Sequence, residues 1–580
     1  MDANGLVNKD LEVYSSTTSY YLKKTTGSTV TEISRDSGKI SVSDSLPKGK
    51  PRECYGVLGI SRFLEASYLI LISQARFIGR IKESFILQVA GIEFLPISTQ
   101  GNQNFKRDQP FIESFKELVK TDSFYFSYDY DLTHTVQRIG NFTEEQKRSY
   151  MWERCEYKFW WNSYLCEDLV EASAHEVILP VISGYVQIEN LNIKGLELDY
   201  GVISRRDHRR TGTRFNTRGL DTKGHSVNFV ETEQVFCTWQ SGKFVVCSYV
   251  QVRGSIPLLW NQKPCLAWEP SPEIEGNPSA NAEAAKLHFE ELQKDYSKVT
   301  LVNLVDKKKK QLRIGQAFTE VFKMVGEGKL NYVWFDFHAE CRKMQWQNLS
   351  KLLEEVAEPL DSYEWCEGVV AKNEPVLQIQ LNTQQAGVFR TNCMDCLDRT
   401  NVVQSVFARN VLHKQLHNLK MGNKPSGEAF PPFEEPLETC FRNFWANNAD
   451  ALSLFYSGTL AQKTDFTRTG KRTTKGALAD ANCGVKRYFI NNFTDGSWQN
   501  TLDIFLGKVP VKDCRFKGKY NSVYVFGLTC VFLGLSCHLA AKNTSNNLGY
   551  TVIFLITGGL VTKLLSAYGN KFVDKPMKPN

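Results

Sequence analysis

The N-terminal stretch MDANGLVNKDLEVYSS lacks a basic start followed by an apolar run, so no secretory signal peptide is expected. A disulfide framework is lacking too: the fifteen cysteines are odd in number and irregular in spacing. Both absences place the bulk of the chain in a reducing compartment, the cytosol, where a thiolate survives. Strong charge of one sign is missing, since 70 Lys and Arg against 63 Asp and Glu leave +7 on 580 residues. That balance gives no argument for nucleic acid. No internal repeat is visible, and no low-complexity segment interrupts the first 500 residues. The 42% apolar and 23% charged content excludes large-scale disorder and allows a sizeable core.

What is present divides into regions. Residues 1–186 mix apolar runs with charged turns. SYLILISQA and SFILQVAGIEFLP read as buried strands, because they are short, rich in branched residues and bounded by Gly, Pro or polar residues. Residues 187–455 alternate strand-like and helix-like patterns, the order of an α/β domain. NYVWFDF (331–337) reads as a strand. AECRKMQWQNLSKLLEEVA (339–357) has helical period, with Met344, Leu349, Leu352, Leu353 and Val356 near one stripe. Residues 456–520 form a basic juxtamembrane region containing Lys463, Arg468, Lys471, Arg472 and Lys475. Its Tyr488, Phe489, Phe493 and Trp498 predict partial order.

Residues 522–541 carry no charge, and twenty residues at ~1.5 Å each span the ~30 Å hydrocarbon core. Residues 548–569 form a second apolar run broken only by Lys563, whose stem can snorkel. A transmembrane helical hairpin is expected. Basic residues before the first run and after the second put both termini, the 570–580 tail and the catalytic part in the cytosol.

The chemistry concentrates at GVFRTNCMDCLDRTN (387–401), where a strand end enters a tight loop and then a helix. The loop is Cys-x5-Arg-Thr: Cys393, then Met394, Asp395, Cys396, Leu397 and Asp398, then Arg399 and Thr400. Five intervening residues let the amides curl around a phosphate, and a helix N-terminus adds positive potential. The same field lowers a cysteine pKa. Arg399 is placed to fork two phosphoryl oxygens, and Thr400 to donate to the sulfur. The bare pattern arises about once by chance in such a chain, so its context carries the weight.

That context resembles one family. FRTNCMDCLDRTN is similar to the signature of the Sac-domain phosphoinositide phosphatases. YGVLGISRFLEASYLILI, FYFSYDYDLTHTVQR, SRRDHRRTGTRFNTRGLDTKGHSVNFVETEQ and DFHAECRKMQWQNL resemble further blocks of it. The resemblance implies a homology block of about 126–455 and an α/β fold. In that fold an N-terminal Sac subdomain packs on a cysteine-phosphatase-like catalytic domain, followed by the hairpin. It implies no cofactor and no metal. Its expected substrate is a membrane phosphoinositide, chiefly phosphatidylinositol 4-phosphate and secondarily the 3-phosphate, handled through a cysteinyl-phosphate. The two apolar runs resemble those of the integral-membrane members, which implies endoplasmic reticulum and Golgi membranes. A tyrosine phosphatase and a non-catalytic membrane-contact tether are the rival readings.

The proton donor stays open among three carboxyls. Asp395 at the pocket rim is favoured, Asp398 is an inward-packing alternative, and Asp336 is a turn residue. Arg205, Arg206, Arg209, Arg210, Arg214 and Arg218 form the densest basic stretch, read either as a solvated face or as a lipid-steering surface. Cys393 and Cys396 also form Cys-x-x-Cys. No second pair has ligand spacing and the nearby His413 lies on the following helix, so a zinc site is not expected; Cys396 is a candidate resolving thiol. At the C-terminus only Lys578 fits a dilysine retrieval pattern, and Pro579 follows it.

Overall fold

A computed structural model describes residues 7–43, 45–99, 105–193, 195–265, 267–370, 378–422, 428–514, 539 and 573–577. Its centre is one large sheet of thirteen strands. In chain order these are β1 Gly56–Arg62, β2 Ala66–Ile81, β3 Ser84–Thr99, β4 Phe124–Phe126, β5 Ile182–Ile193, β6 Leu196–Arg206 and β7 Val230–Gln240. Then come β8 Lys243–Arg253, β9 Lys298–Asn303, β10 Asn331–Trp334, β11 Cys366–Val370, β12 Ile379–Thr383 and β13 Gly387–Asn392. They are ordered β10-β9-β13-β8-β7-β6-β5-β4-β3-β2-β1, with β11 and β12 branching from β8. The pairs β9–β10, β9–β13 and β8–β13 are parallel, and the rest antiparallel.

Period-two alternation builds two layers from this sheet. On β8, Val245, Cys247 and Tyr249 face a core that contains helix α3 (Asp398–Asn418) and helix α4 (Leu437–Ser457). Val246, Val250 and Val252 face the opposite core, with α1 (Pro278–Tyr296) and α2 (Lys309–Val325). The strand is buried on both sides, as a near-continuous apolar run requires. The two apolar runs read as strands near the N-terminus are the long hairpin β2–β3. A separate five-stranded antiparallel sheet from Leu11 to Cys54 packs Leu11, Val13, Leu22 and Ile33 on Val57, Leu69 and Leu71.

Three expectations need adjustment. The boundary at 186/187 falls inside β5, and the sheet is continuous through it. Residues 339–357 are not one helix. Lys343 and Met344 take positive φ, and the run breaks into Phe337–Glu340, short 3-10 turns and Leu349–Glu355. The basic region is folded well beyond its aromatic cluster, as α5 (Thr474–Phe493) and α6 (Asp495–Phe505). No helix among the described residues is long and apolar enough to cross a membrane. The two apolar runs, 522–541 and 548–569, lie outside the described residues except for Leu539.

Residues Val573–Met577 return to this last unit. The amide of Asp574 donates to the Asn492 carbonyl at 2.7 Å, and its carboxylate accepts from the Ser497 amide at 2.6 Å. The Met577 amide donates to Asn500 Oδ1 at 2.9 Å. Gly496 permits the approach: a Cβ there would sit 2.7 Å from the backbone of Asp574 and Lys575.

Candidate active site

β13 delivers Cys393 to the C-terminal end of the parallel strands, where open α/β sheets place their ligands. Asn392 Nδ2 donates to Asn303 Oδ1 at 2.8 Å and ties the strand end to β9. The loop then turns sharply. Cys396 adopts φ +54, which swings its amide back to donate to Cys393 Sγ at 3.1 Å. Its own thiol donates to the Gly254 carbonyl at 2.7 Å. The chain leaves through Leu397 into α3, so the thiol lies before a helix N-terminus, as the spacing predicts.

Burial pushes the Cys393 thiol up, yet its pKa ends well below the ordinary value. The Cys396 hydrogen bond, the Arg399 charge and the Thr400 hydroxyl together outweigh the desolvation. Cys396 moves the other way, raised by burial and by the neighbouring sulfur. The two thiols of the loop are thus driven in opposite directions.

Arg399 is held at one nitrogen. Nη1 donates to the Leu304 carbonyl at 3.0 Å, to Asp306 Oδ1 at 3.2 Å and to Gln311 Oε1 at 3.2 Å, all just beyond β9. Asp306 also accepts from His338 Nδ1 at 2.8 Å. Nε and Nη2 of Arg399 make no hydrogen bond among the described residues, which leaves the edge that forks an oxyanion. Sequence reasoning did not find Asp306 or Gln311, because nothing in NLVDKKKKQ distinguishes a clamp from a solvated turn.

Asp395 is placed differently from the expectation of a proton donor. Arg214 bonds it through Nε at 3.1 Å and Nη2 at 2.8 Å, and Arg218 Nη2 adds a bond at 2.7 Å. Against its burial, these two guanidiniums drive the carboxyl far below the usual range. It holds no proton to give. Asp398 has the opposite environment. Burial raises its pKa, with Cys393 and Asp395 adding to the rise against Arg487 and the Gln462 amide, whose N–H donates at 2.9 Å. Asp336 is the turn residue its position suggests, accepting from the Lys307 and Ala339 amides at 2.9 and 3.0 Å.

The basic stretch is not a lipid-facing surface. Arg205, Arg206 and Arg218 are buried. Arg205 bonds Glu233 at 2.7 Å inside the sheet, and Arg206 lies 4.0 Å over the Phe455 ring. Arg209 pairs with Asp207 and Glu291, and Arg210 Nη2 donates to the Arg218 carbonyl. Arg214 and Arg218 serve the loop, Arg218 Nη1 also reaching the Met394 carbonyl at 2.9 Å and Tyr456 Oη at 3.1 Å. Among the described residues no group of three or more His, Cys, Asp or Glu side chains is arranged to hold a metal ion.

Comparison with known proteins gives a consistent picture. A family profile for the SacI homology domain matches residues 55–342, stopping short of the Cys393 loop. Longer similarities extend past it. The chain is 34% identical over 555 residues to phosphatidylinositol-3-phosphatase SAC1-B of Danio rerio, covering 92% of this chain and 91% of that protein. It is 34% identical over 550 residues to phosphatidylinositol-3-phosphatase SAC1 of Saccharomyces cerevisiae, covering 91% and 86%. It is 31% identical over 596 residues to phosphoinositide phosphatase SAC6 of Arabidopsis thaliana, covering 98% of each. Identity of 31–34% sustained over 86% or more of both partners leaves one assignment: the chain belongs to the SacI homology domain family.

Proposed function

We propose that this protein is a phosphoinositide phosphatase that cleaves the monophosphate of an inositol lipid through Cys393. The observation that carries the reading is the thiolate-holding loop at the C-terminal end of β13, faced by an arginine with a free fork. The names of the similar proteins supply the substrate class. The Cys393 thiolate attacks phosphorus, the P–O bond to inositol breaks, and a cysteinyl-phosphate forms. Water then attacks phosphorus, the S–P bond breaks, and the thiolate returns with inorganic phosphate released. Arg399 Nε and Nη2 follow two equatorial oxygens through both transfers. Thr400 stabilises the departing sulfur. Asp398, whose pKa burial raises, gives its proton to the inositol oxygen and takes one from the attacking water. No step of this route requires a metal.

Phosphatidylinositol 4-phosphate is the principal substrate and the 3-phosphate the secondary one. The runs 522–541 and 548–569 form a membrane hairpin that keeps the enzyme on endoplasmic reticulum and Golgi membranes, with both termini cytosolic. Vesicles of each monophosphorylated lipid, incubated with wild type and Cys393→Ser, test the reading. Phosphate release by wild type alone, fastest from the 4-phosphate and unaffected by a chelator, is expected. Turnover by the serine variant, or activity confined to phosphotyrosine peptides, overturns it.

A further inference from the structure

Beneath the loop lie two arginines that no carboxylate neutralises. Arg253 ends β8 beside Thr391 of β13, two residues before Cys393. Arg206 ends β6, and both flank Val230 of β7 in register. Each is essentially without solvent contact, at 0% and 1% exposure. Neither forms an ion pair among the described residues. Arg253 Nη2 donates to Asn401 Oδ1 at 3.2 Å, and Arg206 Nη1 to Asn228 Oδ1 at 3.0 Å. Nε and Nη1 of Arg253, and Nε and Nη2 of Arg206, find no partner there.

Such an arrangement opposes folding. A buried guanidinium without a counter-charge is costly, and two of them repel. Burial and the Arg253 charge pull Arg206 down to about 9, and burial pulls Arg253 down to about 10. The attached groups show what the charge serves. Asn401 lies in the first turn of α3, and Asn228 donates from Nδ2 to the Asp395 carbonyl at 3.5 Å. Gly254, next to Arg253, accepts the Cys396 thiol. Burial is what lowers Arg253, and the loop's two sulfurs, Cys396 first and Cys393 second, favour its charged form. Cys393 also faces Arg399, Asp395, Cys396 and Asp398 of its own loop and helix.

We propose that Arg253 is a positioning residue that holds the Cys393 thiolate and the phosphate loop from below, with Arg206 behind it driving positive charge toward that sulfur. The fold tolerates two guanidiniums without a carboxylate partner because the loop above them needs their positive charge. This rests on the reading of Cys393 as nucleophile, but its test does not require turnover. In full-length protein, the pH midpoint of Cys393 alkylation by iodoacetamide is followed by mass spectrometry of the Cys393 peptide, together with thermal unfolding. Arg253→Gln should raise the midpoint by about one pH unit or more, because a full charge is lost from the buried strand end beside the loop. It should also raise the melting temperature, because an uncompensated buried charge is removed. kcat should fall about tenfold or more with KM nearly constant. Arg253→Lys should restore the midpoint to within about half a unit of wild type. Arg206→Gln should raise both quantities less. An unmoved midpoint in Arg253→Gln, a lower melting temperature or a failure to fold would assign Arg253 a merely structural role and overturn the proposal. Loss of turnover in Cys393→Ser beside an unmoved Arg253→Gln midpoint would reject this inference alone.

Discussion

Three residues of one short loop, Asp395, Asp398 and Arg399, carry opposite fates that their sequence spacing does not reveal. Asp395 is locked by Arg214 and Arg218, whereas burial raises the pKa of Asp398. Asp398→Asn should therefore slow lipid hydrolysis by about 10²–10⁴-fold. An aryl phosphate with an acidic leaving group, which needs no protonation, should be far less affected. The wild-type profile should fall on the alkaline side as Asp398 loses its proton, and the Asn variant should lose that limb. Asp395→Asn should instead strand two guanidiniums, costing about 3 kcal/mol of stability, and should slow lipid and aryl substrates alike. Arg399→Lys keeps charge but loses the fork, and about a hundredfold in kcat is the expected loss; phosphate release under saturating substrate measures it. The meeting of Cys393 and Arg399 in one loop was legible from the Cys-x5-Arg spacing read within its strand–loop–helix context. The buried arginines were not, since burial of a charge is decided by distant strands that residue order does not display.

At the level of elements, β2 and β3 were legible as short, branched apolar runs bounded by Gly, Pro or polar residues, and the strand–loop–helix around Cys393 as an apolar strand end leading through a loop into a helix. The broken stretch 339–357 was not, because its apolar stripe survives while two residues with positive φ interrupt the backbone. The α5–α6 unit was legible only through its aromatics, as its basic residues suggested a solvated segment. It now carries a pH signature. Burial pushes Asp495 up to about 7, and Asp574 adds to the rise against Asn491 and Arg214. The unfolded chain titrates this group near its ordinary value of about 4. The folded state therefore holds the extra proton between those limits, and stability falls as pH rises from about 4 to 7. The contribution amounts to at most about 4 kcal/mol. Asp495→Asn should flatten that slope in urea unfolding across the same range. An unchanged slope would mean that Asp503, raised to about 6, carries the dependence instead.

On the scale of the whole molecule, folding of α5 and α6 shortens the connection to the first apolar run. A coil over residues 456–520 would give a long tether. The described structure extends to Cys514, leaving the seven residues 515–521 before that run. Fully stretched, they reach about 24 Å. Hydrolysis should therefore be confined to lipid in the membrane that holds the enzyme. Enzyme reconstituted in one vesicle population and substrate in another should show little release, while co-reconstituted substrate is cleaved. Equal rates in the two arrangements would exclude this confinement. The returning segment Val573–Met577 adds a further constraint. The chain departs at Cys514, which packs with Leu502 and Phe505 of α6, and rejoins α6 through Asp574 and Met577. A body fastened by one thread spins about it, but a body stitched at two points can only rock about the line between the stitches. Should the proposed hairpin lie in a membrane, these two stitches would set which way the Cys393 mouth faces, as a bracket fixes the beam of a lamp.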